Sequence, residues 1–199
     1  MAWITEFQRW LSESESLNNA QEVASHFSGT EWTPRAIAAM CGNMRHESSI
    51  NPDMYEYGYD WSDDRGYGLV QWTPRSKYWD WAVANSLLPR SGASQLARID
   101  YEVTNNIQWI STTSYPMTFQ EFRTNSGSWS VDHLTEAFTW CYERPNAQAG
   151  QDSMQARKAF ANMCFVTLDF GGTIAPTYPN ITNRMIIRRH NTNMRRRVR

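Results

Sequence analysis

Apolar residues recur at helical spacing along most of the first 168 positions. Trp3, Ile4, Phe7, Trp10 and Leu11 stand at i, i+1, i+4, i+7 and i+8, which is one face of a helix. The polar run Ser12 to Ser16 interrupts it. A second helix follows with Leu17, Val23, Ala24 and Phe27 inward, closing at Gly29. Thr33-Pro34 restarts the pattern with an N-cap hydroxyl and a proline at the first helical position, where its missing N–H costs nothing. Similar periodicity predicts helices over 77–88, 94–103, 118–124, 130–142 and 152–167. Residues 55–72 break the trend. Rich in Gly, Asp and aromatics and lacking a 3.6-residue repeat, they suit a small β-hairpin turning near Arg65-Gly66. Past Leu168, Gly171-Gly172, Pro176 and Pro179 end regular structure. The expectation is an α+β, predominantly α-helical domain over 1–168 and a C-terminal extension over 169–199.

The length allows one well-buried core and leaves little room for two. A net charge of −1 hides an uneven distribution. From Arg184 onward there are seven arginines and no acid, which leaves twelve Lys and Arg against twenty acids, a net of −8, over the first 183 residues. The basic arm suits an anionic partner or a solvated tail, and the acidic remainder argues against nucleic-acid binding. No stretch approaches roughly 18 uninterrupted apolar residues, so no membrane span is expected. The start, MAWITEFQRWL, carries Glu6 and Arg9 inside its apolar pattern and does not read as a secretory signal. Cys41, Cys141 and Cys164 are too scattered for a disulfide framework or a zinc site; buried thiols are expected, although one pair could be bridged. His26, His46, His133 and His190 show no metal-ligand spacing, and no metal or cofactor is expected.

One carboxylate stands out. In the helix opened by Thr33-Pro34, Ile37, Met40, Cys41 and Met44 form the apolar stripe, and Glu47 continues it three residues after Met44. A carboxyl aimed at apolar packing is held neutral by desolvation, aided by the negative end of the helix dipole. That is the state a general acid needs to protonate a glycosidic oxygen. The competing reading is that the helix ends before Glu47 and leaves it solvated. Nine of the chain's 27 aromatics lie between Tyr55 and Trp81, interspersed with Asp60, Asp63 and Asp64. Such rings offer faces to sugar C–H groups, although some, Trp79 and Trp81 among them, are expected to be core.

The run GNMRHESSINP (Gly42 to Pro52), followed by RGYGLVQWTP (Arg65 to Pro74), resembles the tail-associated phage lysozyme domain, its phi29-type members in particular. More distantly it is similar to goose-type lysozymes and soluble lytic transglycosylases. CYERP (Cys141 to Pro145) adds to the likeness, which covers roughly 31–168. The resemblance implies a lysozyme-like fold with the hairpin beside the cleft. It makes Glu47 the catalytic glutamate, places Gly66, Gly68 and Gln71 at the cleft floor, and suggests Asp64 as the second acid, with Asp60 and Asp63 as alternatives. Asp60, Tyr67, Gln71 and Tyr142 are expected to bind substrate, with Glu143 and Arg144 lining or supporting the cleft. Goose-type enzymes carry a further Asp just after the Gln motif, where this chain has Trp72-Thr73.

The implied activity is hydrolysis of the β-1,4 bond between N-acetylmuramic acid and N-acetylglucosamine in bacterial peptidoglycan. The implied setting is a virion tail that opens the host wall locally, with the arginine-rich arm docking onto neighbouring tail proteins. Two alternatives stand beside it: a lytic transglycosylase giving 1,6-anhydro products, and a non-catalytic tail-tip plug or glycan-binding module. A Cys/His amidase fits poorly, because Cys41 is mid-helix on the apolar stripe. No G-x-S-x-G elbow and no HExxH motif occurs.

Overall fold

A computed structural model describes residues 2–56, 58–59 and 61–171. Asp60 and the arginine-rich arm lie outside the described residues. The elements are α1 (Glu13–Phe27), α2 (Pro34–Ser48), a 3-10 turn (Trp61–Asp63), α3 (Ser76–Ala84), α4 (Gly92–Thr104), α5 (Phe119–Thr124), α6 (Val131–Phe138) running into a π turn (Thr139–Glu143), and α7 (Ala147–Thr167). No described helix is long and apolar enough to cross a membrane. Cys41, Cys141 and Cys164 are buried and unbridged.

The first apolar run is not a helix. Its main chain is held by two buried asparagines instead of by its own turns. Asn19 accepts from Ile4 N–H and donates to Ile4 C=O, both at 2.8 Å. The Asn51 amide donates to the carbonyls of Glu6 (2.6 Å) and Arg9 (2.8 Å). Phe7 and Trp10 consequently stay more than half exposed, while Leu11 is buried. The polar run after it starts a helix and does not merely interrupt one. Ser12 caps α1 in a capping box with Glu15, satisfying amides that a helix start leaves orphaned.

α2 is the central element. Thr33 caps it through its side chain, Pro34 opens it, and Ser49 in the left-handed region ends it two residues after Glu47. It packs most extensively against α7, then α6. Gly42 permits the α7 approach: a Cβ there would lie 2.4 Å from the Arg157 carbonyl oxygen and 2.7 Å from Ala161 Cβ. The core is aromatic. Phe119, Phe122, Trp109 and Phe138 pack ring on ring, with Trp32 against the first two and Tyr142 stacked on Phe138 at 4.5 Å.

The expected β-hairpin is absent among the described residues. Residues 55–72 form isolated bridges only, Tyr55 to Tyr67 and Tyr67 to Trp72. Tyr67 and Trp72 exchange both backbone bonds across a tight turn in which Gly68 and Gln71 take positive φ. Gly68 N–H donates to the Met54 carbonyl and Glu56 N–H to the Gly66 carbonyl, while the amide and carbonyl of Leu69 go to side chains, so the pairing does not extend beyond single bridges. Gln95, fully buried, accepts from Leu69 N–H at 2.7 Å and donates to the Pro52 carbonyl at 2.7 Å.

Candidate active-site cleft

The end of α2, the 54–56 and 70–73 segments and the π turn enclose an open cleft of about 700 Å³. Its walls include Glu47, Glu56, Glu143, Gln71, Tyr55 and Trp10. The ES-SINP run that follows α2 fixes this arrangement one residue at a time. Ser48 Oγ donates to the Leu69 carbonyl at 2.9 Å and ties the turn to the helix end. Ser49 Oγ accepts from Leu11 N–H at 2.7 Å, and Ser16 Oγ donates to the Ser49 carbonyl at 2.8 Å. Asn51 then anchors the N-terminal segment, which carries Trp10 to the cleft edge.

Glu47 occupies the cleft with a side chain 20% exposed. Its neighbour is not purely apolar, as the stripe suggests. Arg157 of α7, 2% exposed, donates from Nη2 to Glu47 Oε1 at 2.6 Å. The same guanidinium donates from Nη1 to Asn43 Oδ1 at 2.8 Å and from Nε to Ser153 Oγ at 3.0 Å. Asn43 sits one turn before Glu47 on α2, so helix pair and ion pair lock together.

A second carboxyl of the cleft is driven toward neutrality by burial. Glu143, the last residue of the π turn, has its pKa raised well above the ordinary glutamate range, by desolvation first and then by the negative charge of Glu47. Its Oε1 is buried with no hydrogen-bond partner.

The other expected site residues divide. Gln71 lines the cleft and donates to the carbonyls of Met54 (3.1 Å) and Gly68 (3.0 Å). Asp64 is not among the lining side chains: Oδ1 accepts from Ser76 N–H at 2.8 Å and Oδ2 from Ser76 Oγ at 2.7 Å, at the start of α3. Those bonds lower its pKa. Asp63 belongs to the 3-10 turn and is likewise not among the lining residues. Tyr67 is fully buried, and its hydroxyl donates to Asp53 at 2.9 Å. Tyr142 is buried too, donating to Glu102 Oε2 at 2.5 Å. Arg144 turns to main-chain carbonyls, those of Gln108 and Cys141.

Most of the aromatic run is therefore core. Tyr67, Trp72 and Tyr78 are buried and stack on one another, and of the described rings in the run Tyr55 is the one that lines the cleft. The exposed aromatic at the cleft, Trp10, comes from outside the run. Glu56, Arg157 and Trp10 escape sequence reasoning. Glu56 follows the bridge residue Tyr55, and its Oε2 accepts from Gly66 N–H at 3.0 Å.

The phage tail lysozyme family matches residues 18–168. Morphogenesis protein 1 of Bacillus phage B103 is 42% identical over 136 residues, covering 68% of this chain. The chain spans 36% of that relative's length. With a match running from α1 to the end of α7 and enclosing every described wall of the cleft except its N-terminal edge, the chain belongs to the phage tail lysozyme family.

Proposed function

We propose that the chain cuts the β-1,4 bond between N-acetylmuramic acid and N-acetylglucosamine in peptidoglycan strands, with Glu47 delivering the proton to the leaving oxygen. One observation carries this reading: Glu47 is a partly exposed carboxyl in an open cleft, held by a buried guanidinium whose other donors are engaged. A side chain fixed at both ends meets the positional demand of proton transfer to a bound sugar. Trp10, exposed at the cleft edge, offers a ring face to sugar C–H groups, and Gln8 and the amide oxygen of Gln71 offer polar partners to hydroxyls.

The second carboxylate of a hydrolase would stabilise the oxocarbenium-like transition state or activate water. Both oxygens of Asp64 are engaged by Ser76, which favours Glu56, already at the cleft, for that role. The same commitment of Asp64 gives a lytic transglycosylase its standing as the second reading. There the substrate's own 6-hydroxyl attacks and one glutamate suffices. Muropeptide mass spectrometry separates the two: hydrolysis adds a water, whereas 1,6-anhydro ends lack it.

Family membership and the B103 relative support a tail-associated role in which the enzyme opens the wall during host entry. The arginine-rich arm is proposed to dock on a neighbouring tail protein. Deletion of residues 184–199 should reduce incorporation into particles; unchanged incorporation would contradict docking. For the catalytic reading, Glu47→Gln should abolish clearing of purified cell walls while glycan binding persists. Undiminished clearing would leave a binding module or plug as the better description.

A further inference from the structure

An enclosed carboxyl normally has a cation or several donors to hold its charge. Glu143 has neither. Its Oε1 is buried without a partner in the wall of the cleft it shares with Glu47. Three guanidiniums lie on the surrounding elements, and each is engaged elsewhere. Arg157 of α7 serves Glu47, Asn43 and Ser153. Arg98 of α4 serves Glu102 at 2.9 Å. Arg144, on the adjoining residue, serves two main-chain carbonyls. The acids facing Glu143 are Glu47 of α2 and Glu102 of α4, and both oppose its ionisation. His46, beside Glu47 on α2, senses Arg157 and Glu47, and burial lowers its pKa. Arg157 and Arg144 favour the ionised form of Glu143, but burial and the charge of Glu47 outweigh them and favour the protonated one. The π turn that presents it is an irregularity that recurs at functional sites.

We propose that Glu47 and Glu143 work as one acid–base unit in which Glu143 stores the proton that Glu47 delivers to the substrate. This rests on the reading of Glu47 as proton donor. Before a glycan binds, Glu143 holds the proton and Glu47 is paired with Arg157. When a glycan displaces water, the Glu143 proton passes to Glu47. Glu47 gives it to the glycosidic oxygen as the C–O bond breaks, and the bonding electron pair leaves with that oxygen. The anomeric carbon then takes a hydroxyl, from water or from the sugar itself. The proton that hydroxyl releases returns through Glu47 to Glu143. Glu143 thereby acts through Glu47, supplying and recovering the proton without touching the substrate.

The pH–rate profile of Glu143→Gln on purified cell walls tests this. Loss of the stored proton should move the alkaline limb down by about one pH unit or more. Activity should fall about tenfold or more above neutrality and stay within about threefold of the parent near pH 5. Glu143→Asp, which keeps a carboxyl, should restore part of the limb. An unchanged limb, or an equal loss at every pH, overturns the proposal. Should Glu143→Gln not fold, the parent carries the test. In carboxyl-labelled NMR one glutamate should remain protonated above neutrality and titrate lower in Glu47→Gln; no such resonance overturns the proposal. Glu47→Gln clearing walls normally would instead sink the reading of Glu47 itself.

Discussion

Arg157 reaches Glu47 Oε1 at 2.6 Å while its other nitrogens hold Asn43 and Ser153, so one guanidinium joins α7 to the acidic end of α2. Removing one partner of a buried pair leaves the other charge uncompensated. Glu47 keeps some solvent contact, which places the cost at the lower end of the usual range. Arg157→Met should destabilise by about 3 kcal/mol, a fall of roughly 6–12 °C in Tm for a domain of this size. Thermal denaturation checks this, and a Tm within a degree of the parent would show that the pair contributes little.

Tyr142 tests the difference between a sugar contact and a core support. Its hydroxyl donates to Glu102, which also accepts from Trp72 Nε1 at 3.0 Å and Arg98 Nε at 2.9 Å. Burial raises the Glu102 pKa and these donors oppose the shift. Tyr142→Phe should cost about 2 kcal/mol and leave KM unchanged within about twofold. Glu102's raised folded-state pKa makes its contribution greatest below the ordinary carboxylate range and lost as pH rises through the folded value. Without the tyrosine donor that value rises further, so the deficit should grow as pH rises above the ordinary glutamate range. Urea titrations across that window supply the measurement.

Trp10 is 55% exposed and edges the cleft. An exposed ring adds little to the fold and about 1 kcal/mol to a stacked sugar. Trp10→Ala should therefore raise KM about fivefold with Tm nearly unchanged. A loss confined to kcat would place the ring outside substrate binding.

Glu56→Gln separates the two chemistries. As a second carboxylate, Glu56 should contribute about a hundredfold to kcat. If the variant stays fully active and its products are 1,6-anhydro muropeptides, the single-glutamate transglycosylase describes the enzyme.

Much of the helical framework was legible in the sequence because caps and periodicity are local. Thr33-Pro34 opens α2, Thr118 caps α5 and Ser130 caps α6 through their own side chains. The N-terminal run misled because its helical spacing is outvoted by Asn19 and Asn51, partners 15 and 45 residues away from Ile4 and Glu6. The turn at 66–72 looked like a hairpin because Gly-aromatic-Gly is hairpin chemistry, yet Gln95 and Ser48 take its amide and carbonyl at Leu69. At the cleft, Glu47 was visible as a carboxylate on an apolar stripe. Arg157 was not, since it lies 110 positions away and reads as an ordinary helix arginine until α7 packs on Gly42. Aromatic density between Tyr55 and Trp81 was mostly a signal of core, because rings that stack on each other have no face left for sugar.

The most direct measurement is clearing of purified peptidoglycan by Glu47→Gln, in which the amide oxygen can still accept from Arg157 and keep the helix pair together. The variant should melt within about 5 °C of the parent and lose about a thousandfold or more in rate at every pH. A folded variant that solubilises the wall at the parent's rate would contradict the central role given to this carboxyl.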